Sequence, residues 1–439
     1  MFSLKCSLTL AELQKPPETS KTCLLFCRTG DIMWQSNWLG GIDLKELSRI
    51  ASAVQISSTM AIDALAKQMK AEGVDVIGFG AGEPDFNTPA HIKAAADRAI
   101  AANLTRYTPA SGTPELKEAV CQRMREDCGL DYKPSQVVVS TGAKHCVYLA
   151  LRAVVNPGDE IILPAPYWVS YLEMIKMVGG QPVVVTAGEG ARFKMTAEQL
   201  AAAITPKTKA LILNNPGNPT GMVYGREELE AIARVCVEHD IYVISDEIYY
   251  GLLYDGARFV SAAALGEDMK ERVILINGVS KSYAMTGWRI GWLLSNERIA
   301  SVMSSYLSNS TGSPCTVSQA AAVAALTGPQ GCVEEMRRAF EERRNYIVER
   351  MNGIGGVSCL KPEGAFYVMM NVEKLIGKTI HGSQIQTSKD FCTAFLKDGL
   401  VAAVPGEGFG APGFVRWSYS TSMENIEKGM DRLAAFLKG

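Results

Sequence analysis

Histidine is scarce in this chain. The four residues present in 439, His91, His145, His239 and His381, form no pair at ligand spacing. Cysteine is more plentiful but scattered, and the closest pair, Cys23 and Cys27, has neither CxxC spacing nor a histidine beside it. A zinc site is therefore not expected, and unpaired thiols of this kind fit a reducing cytoplasm. No apolar run reaches the roughly 20 residues needed to span a bilayer. Neither sign of charge dominates: 44 Lys and Arg stand against 46 Asp and Glu. That balance leaves no electrostatic footprint for nucleic acid or an anionic membrane. Internal repeats and low-complexity tracts are also missing. What remains is an ordinary globular composition in a chain too long for one core, since single cores stop growing at roughly 250–300 residues. Two domains are expected.

Residues 1–41 stand apart. Lys5, Lys15, Lys21 and Arg28 are nearly balanced by Glu12, Glu18 and Asp31, with no Arg-rich amphipathic pattern. No apolar segment leads to a small-residue cleavage site, so neither a signal nor a transit peptide is expected. This stretch is read as an extension outside the core, either disordered or the product of a wrongly chosen start. The first amphipathic helix is expected over residues 43–55, DLKELSRIASAVQ.

From about residue 90 the pattern alternates. Helical spacing marks 89–103 and 114–129, the second closed by a glycine. Short β-branched runs follow at 136–141, 160–166, 181–186, 209–216, 241–247 and 272–278, most of them separated by helical stretches such as 226–239. This is the signature of βαβ units around a buried, largely parallel sheet, whose ligands bind beyond the carboxyl ends of the strands. After Pro314 come a helical tract over 315–352, a short strand run at 364–371, a helix at 387–398, the runs LVAAVPG and FVRWSYS, and a closing helix. The fold class is α/β: a large domain over 84–313, and a smaller α+β domain over 314–439 that also takes 42–83.

Several strand ends carry polar residues where a ligand would sit. QVVVST runs into Gly142, Ala143 and Lys144 ahead of an apolar helix. Free N–H groups and the positive end of a helix dipole suit a phosphate there, although most such turns merely join strand to helix. KALILNNPGNPTG ends a strand in Asn214, Asn215 and Asn218, a sequence that is usually only a turn. IYVISDEIYY puts Asp246, Glu247 and Tyr249 at the next strand end. A carboxylate leaving an apolar strand is costly without a partner, and the plainer reading of the DE pair is a helix cap. Lys281 follows another strand, flanked by Ser280, with Arg289 eight residues on. A lone lysine there is ordinarily a solvated surface group. Inside a small-residue loop it becomes a candidate desolvated amine, with a depressed pKa and a nucleophilic nitrogen.

These parts ask for one ligand. Phosphate fits the 142–144 turn and Arg289, a carbonyl fits Lys281, and a protonated ring nitrogen fits Asp246. Tyr249 and Asn218 can hydrogen-bond a phenolic oxygen, while Trp168 can cover a ring. Pyridoxal phosphate has all these features.

From about residue 43 onward the chain resembles the class I, fold-type-I aminotransferases, and is most similar to the bacterial aspartate aminotransferases. AGEPDFNTP (81–89), RYTPASGTPELKEAV (106–120), PYWVSY (166–171), NNPGNPTG (214–221), SDEIY (245–249), SKSYAMTGWRIG (280–291), EGAFYVMM (363–370) and VRWSYSTSMENI (415–426) carry the resemblance. It implies that Lys281 holds the cofactor covalently and later moves the proton between substrate Cα and the cofactor. It implies that Asp246 pairs with the ring nitrogen, Tyr249 and Asn218 bind the ring oxygen, and Trp168 stacks on the ring. Gly142, Ala143, Lys144, Ser280 and Arg289 would bind the cofactor's phosphate end, joined by Tyr107 from the second subunit of a homodimer with shared sites. Gly82 would touch substrate through its backbone, and Arg416 would clamp the α-carboxylate, a bidentate task suited to guanidinium. Lys144 would match the distal carboxylate of an acidic donor, with a phosphate contact as its alternative. The implied reaction moves the amino group of an L-amino acid, aspartate foremost, to 2-oxoglutarate in ping-pong fashion. Prephenate is a second candidate acceptor, and a carbon–sulfur β-lyase of the same fold is the nearest rival. A regulator carrying an aminotransferase-like domain would need a DNA-binding module, for which 41 nearly neutral residues are too few.

Overall fold

A computed structural model of the chain describes residues 45–54 and 58–438. The expected extension, residues 1–41, lies outside them. Seven strands build the main sheet: β1 (Val137–Ser140), β2 (Glu160–Ala165), β3 (Gln181–Thr186), β4 (Thr208–Asn214), β5 (Tyr242–Asp246), β6 (Val273–Gly278) and β7 (Gly291–Leu294). Their order is β1-β7-β6-β5-β4-β2-β3. The six expected strands all form and run in one direction. The seventh, β7, was not anticipated; it lies between β1 and β6 and is antiparallel to both. Both sheet faces are buried except along the edge strand β3, whose residues are half-buried or exposed. Along β4, Leu211 and Leu213 enter one apolar cluster while Ala210 and Ile212 enter the other. Burial on both sides explains why these strands read as continuous apolar runs rather than alternating ones.

A second sheet is antiparallel, with β8 (Ser358–Cys359), β9 (Tyr367–Asn371), β10 (Val404–Pro405) and β11 (Phe414–Ser418) in the order β10-β11-β9-β8. It packs a third cluster that includes Phe79, Phe340, Phe366, Trp417 and Phe436. A two-residue ladder pairs Ile77–Gly78 with Val401–Ala402 and ties the early segment to this part of the chain. Ser48–Gly439 forms one compact unit.

Two helical expectations are corrected. The tract 315–352 is two helices, Thr316–Thr327 and Gly331–Asn352, interrupted at Gly328-Pro329. A proline disfavours the α conformation for the residue before it and lacks the N–H that a helix interior needs. Of the helix expected over 43–55, only the turn Arg49–Ser52 is helical among the described residues, and none of that turn is buried. Without a face to bury, a short amphipathic pattern gains little from packing, and packing supplies most helix stability in proteins.

Candidate active site

Five of the six same-direction strands, all but the edge strand β3, deliver their carboxyl ends to one cavity of about 550 Å³, a volume typical of small-molecule sites. β1 leads into Gly142, the residue capping the helix Ala143–Val154. Gly142 has φ +92°, and a Cβ there would collide with the Arg289 guanidinium. Arg289 itself donates to Thr286 O at 2.8 Å and Thr141 O at 3.1 Å, so its charge is held against the helix start. β2 leads to Trp168, β4 to Asn218, β5 to Asp246 and Tyr249, and β6 to Ser280 and Lys281. All of these line the cavity together with Gly82, Ala143, Lys144, Arg289 and Arg416.

Lys281 donates to Gly82 O, and its ammonium lies 5.9 Å from the Tyr249 ring centre and 5.8 Å from that of Phe366. Burial pushes its pKa down to about 8; Glu83 opposes that shift and Arg289 adds to it. Asp246 is buried at 4% exposure. Burial lifts its carboxyl to about 6, offset in part by the Tyr171 hydroxyl, the Ile248 N–H and Lys281. The Tyr171 hydroxyl donates to Asp246 Oδ2 at 2.6 Å, and Ile248 N–H donates to Oδ1 at 3.2 Å. Arg416 reaches the same cavity from β11. It donates to Gly80 O at 2.7 Å and to Asn218 Oδ1 at 3.2 Å, with its guanidinium 4.7 Å from the Tyr367 ring centre. Lys144 is exposed as a residue, but its ammonium lies 5.0 Å over the Trp168 ring. Partial burial of that group, then the charge of Arg289, holds its pKa below the usual lysine range.

Chemically, the cavity offers a softened amine and a buried acid, with three cationic side chains in its lining: Arg289 and Lys144 at the helix start and Arg416 from β11. Tyr107 is not part of it. That residue is fully exposed and borders a separate surface hollow with Leu104 and residues 313–317. Tyr171 and Tyr367 were not singled out from sequence although both line the cavity; their aromatic runs, PYWVSY and GAFYVMM, look like core.

A family model described as "Aminotransferase class I and II" matches residues 74–433. The chain belongs to this family. It is 49% identical over 382 residues to an aspartate aminotransferase of Bacillus sp. (strain YM-2), covering 87% of this chain and 96% of that one. It is 46% identical to an aspartate/prephenate aminotransferase of Cereibacter sphaeroides, covering 90% and 99%. Among solved structures, the aspartate aminotransferase of Rhizobium meliloti matches with a TM-score of 0.87 and 41% identity, covering 90% of this chain and 99% of that one. The Thermus thermophilus aspartate aminotransferase with maleate matches at 0.84 and 40%, covering 90% and 100%. The α/β fold expected from the strand pattern is thus the aminotransferase fold.

Tyr171 invites a test at this level. Folding raises the Asp246 pKa from 3.8 to about 6. The folded protein therefore binds a proton more tightly, and burying this carboxyl costs least below pH 3.8 and progressively more as pH rises through 6. Removing a donor to the charged form enlarges that cost. Tyr171→Phe is expected to move the Asp246 pKa further up and to destabilise the cofactor-free protein by about 1–3 kcal/mol at pH 8, with a smaller loss at pH 5. Carboxyl-carbon NMR titration and urea unfolding at the two pH values check this; equal destabilisation at both would mean that the hydroxyl only packs.

Proposed function

We propose that this chain is a pyridoxal-phosphate-dependent aminotransferase that takes the amino group of an L-amino acid, L-aspartate foremost, and passes it to 2-oxoglutarate in two alternating half-reactions. The observation that carries the reading is the convergence of Lys281, Asp246 and Arg416 on one cavity. The residues fit the cofactor. Its phosphate would lie against the N–H groups of Ala143 and Lys144, with Ser280 and with Arg289, whose close approach to the helix start the missing Cβ of Gly142 permits. Asp246 is buried where only a cationic or hydrogen-bonding partner makes a carboxylate tolerable. When bound, pyridoxal phosphate supplies the electron sink for charge developing at the substrate Cα.

The protein's own groups do the rest. Lys281 carries the cofactor, then takes the proton from the substrate Cα and returns it to the cofactor side; a pKa of about 8 suits that exchange near neutral pH. Asp246 keeps the ring nitrogen protonated. Tyr249 and Asn218 would hold the ring oxygen, Trp168 would cover the ring face, and Gly82 would offer its backbone to the substrate. Arg416 orients the α-carboxylate, and its contact with Asn218 links substrate grip to cofactor grip. A dicarboxylate suits a cavity that offers Arg416 for one carboxylate and Lys144 for the other, in keeping with the maleate complex of the Thermus relative. Prephenate is retained as a second acceptor because some relatives carry it in their names.

The same reading assigns residues 84–313 to a large domain and 42–83 with 314–439 to a small domain that closes over substrate; residues 42–44 lie outside the described residues. It makes the enzyme a homodimer in which exposed Tyr107 completes the neighbouring site. It also places the enzyme in the cytoplasm, where the free thiols among the described residues would persist. A half-reaction screen tests the activity: each amino acid is added to the cofactor-loaded protein while the visible spectrum is followed. Conversion with aspartate supports the reading. Release of pyruvate and ammonia from a cysteine conjugate, with no half-transfer, would favour the β-lyase.

Lys144 decides donor preference in this scheme. Exposed ion pairs contribute about 0.2–1 kcal/mol and broken buried ones cost roughly 3–5 kcal/mol, so a half-covered ammonium lies between. Lys144→Ala is expected to lower kcat/KM for aspartate at least about tenfold more than for alanine. Equal loss for both donors with weaker cofactor binding would put Lys144 on the phosphate instead.

A further inference from the structure

Tyr367 opens β9 with 1% exposure, and its hydroxyl lies 2.9 Å from that of Tyr249. Among the described residues this is the one hydrogen bond drawn by either hydroxyl. Two hydroxyls bring two protons, and the bond between them uses one; the other is available to the cavity that both residues line. The surroundings choose between them. Arg416 holds its guanidinium 4.7 Å from the centre of the Tyr367 ring, and a positive charge beside a phenol makes it the stronger donor. In the same sense, burial raises the Tyr367 pKa while Arg416 works against that rise. At Tyr249 the balance runs the other way: burial, then the Tyr367 hydroxyl and the Asp246 carboxylate, raise its pKa, and Arg416 opposes them only weakly. Gly82 keeps the approach open, since a Cβ there would stand 2.9 Å from the Tyr367 oxygen. β9 also pairs directly with β11, placing Met369 opposite Arg416 and Tyr367 opposite Ser418.

We propose that Tyr367 is a positioning residue that donates its proton to the Tyr249 hydroxyl, so that the Tyr249 proton is directed at the ring oxygen of the cofactor. A hydroxyl that accepts a hydrogen bond becomes a better donor. Tyr367 therefore strengthens the Tyr249 contact without touching the cofactor, and joins the wall that carries Arg416 to the group that tunes the ring. This inference rests on the assignment of pyridoxal phosphate to Lys281.

The test is a pH titration of the visible spectrum of cofactor-loaded protein, for the parent, Tyr249→Phe, Tyr367→Phe and the double variant. A donor to the ring oxygen stabilises its negative charge and lowers the pKa of the lysine–cofactor link, so losing the donor raises it. Tyr249→Phe is expected to raise that pKa by about one unit and Tyr367→Phe by roughly half as much, in line with a hydrogen bond lost from the charged form. The double variant should match Tyr249→Phe alone, because Tyr367 acts through it. An unchanged pKa in Tyr367→Phe, or a shift that adds in full to that of Tyr249→Phe, overturns the inference. So does a rise in donor KM at constant spectral pKa, which would place the hydroxyl on the substrate carboxylate. If the parent shows no pH-dependent cofactor band, the cofactor assignment itself falls and the inference with it; a titrating parent that responds to Tyr249→Phe but not to Tyr367→Phe sinks the inference alone.

Discussion

Lys281→Ala is expected to abolish half-transfer, by roughly 10⁴-fold or more, while the protein stays folded. The size follows from losing two roles in one side chain: the attachment point of the cofactor and the group that moves the Cα proton, a general-base contribution worth about 10²–10⁴ on its own. The stability expectation follows from the same environment. Burial pushes the amine down to about 8, which means that the fold resists its charge, and a methyl group removes that cost along with the donor to Gly82 O. The melting temperature should therefore not fall. A further check uses the parent protein. An amine of pKa about 8 is about half neutral at pH 8, whereas one at the ordinary 10.5 would be under about one per cent neutral. Capture of pyridoxal phosphate by cofactor-free protein should thus accelerate with pH and level off above 8, with no comparable reaction in Lys281→Ala. Turnover near the parent rate in the purified variant would remove the assignment of Lys281.

Most of the cavity wall was legible because its residues follow strands, and strands announce themselves. QVVVST, KALILNN, IYVISDE and RVILING are apolar runs that stop at polar residues, and a parallel sheet has one edge at which such residues gather. That rule places Gly142, Asn218, Asp246 and Lys281 together before any distance is known. Its blind spot is the hydroxyl hidden in an apolar run. Tyr171 meets Asp246 from 75 residues away, and Tyr367 meets Tyr249 from 118; nothing local to PYWVSY or GAFYVMM distinguishes either from core. The missed strand β7 has only four residues, GWLL, and follows the loop that carries Arg289, so its signal was absorbed into that loop. The break at Gly328-Pro329 is masked in the sequence because the helical period resumes after it. The expected helix at 43–55 shows the converse error, for a periodic pattern predicts a helix only where a partner surface receives its apolar face. Tyr107 is a different case. Full exposure is where a residue serving a neighbouring subunit would lie.

Asp246→Asn is expected to retain bound cofactor yet slow Cα–H cleavage by at least roughly 10²–10³-fold, the scale on which a single preorganised electrostatic group contributes. The side chain keeps its shape. The amide oxygen can still accept from Ile248 N–H, which reaches Oδ1 at 3.2 Å, and the amide NH₂ can donate to the Tyr171 oxygen that now lies 2.6 Å from Oδ2. What disappears is the negative charge. In the cofactor-free protein burial already lifts this carboxyl to about 6, so its ionised form gains more from a cationic ring nitrogen than an exposed aspartate would. That gain holds the nitrogen protonated, and an amide cannot supply it. The loss should fall on the step at which charge builds up at Cα and not on substrate binding, so KM for aspartate changes little while the single-turnover rate drops. C–H cleavage then limits the half-reaction, and the isotope effect with Cα-deuterated aspartate should grow towards its intrinsic value. A variant that keeps most of its single-turnover rate, or whose isotope effect does not rise, would mean that Asp246 does not face the ring nitrogen and that its raised pKa serves the fold alone.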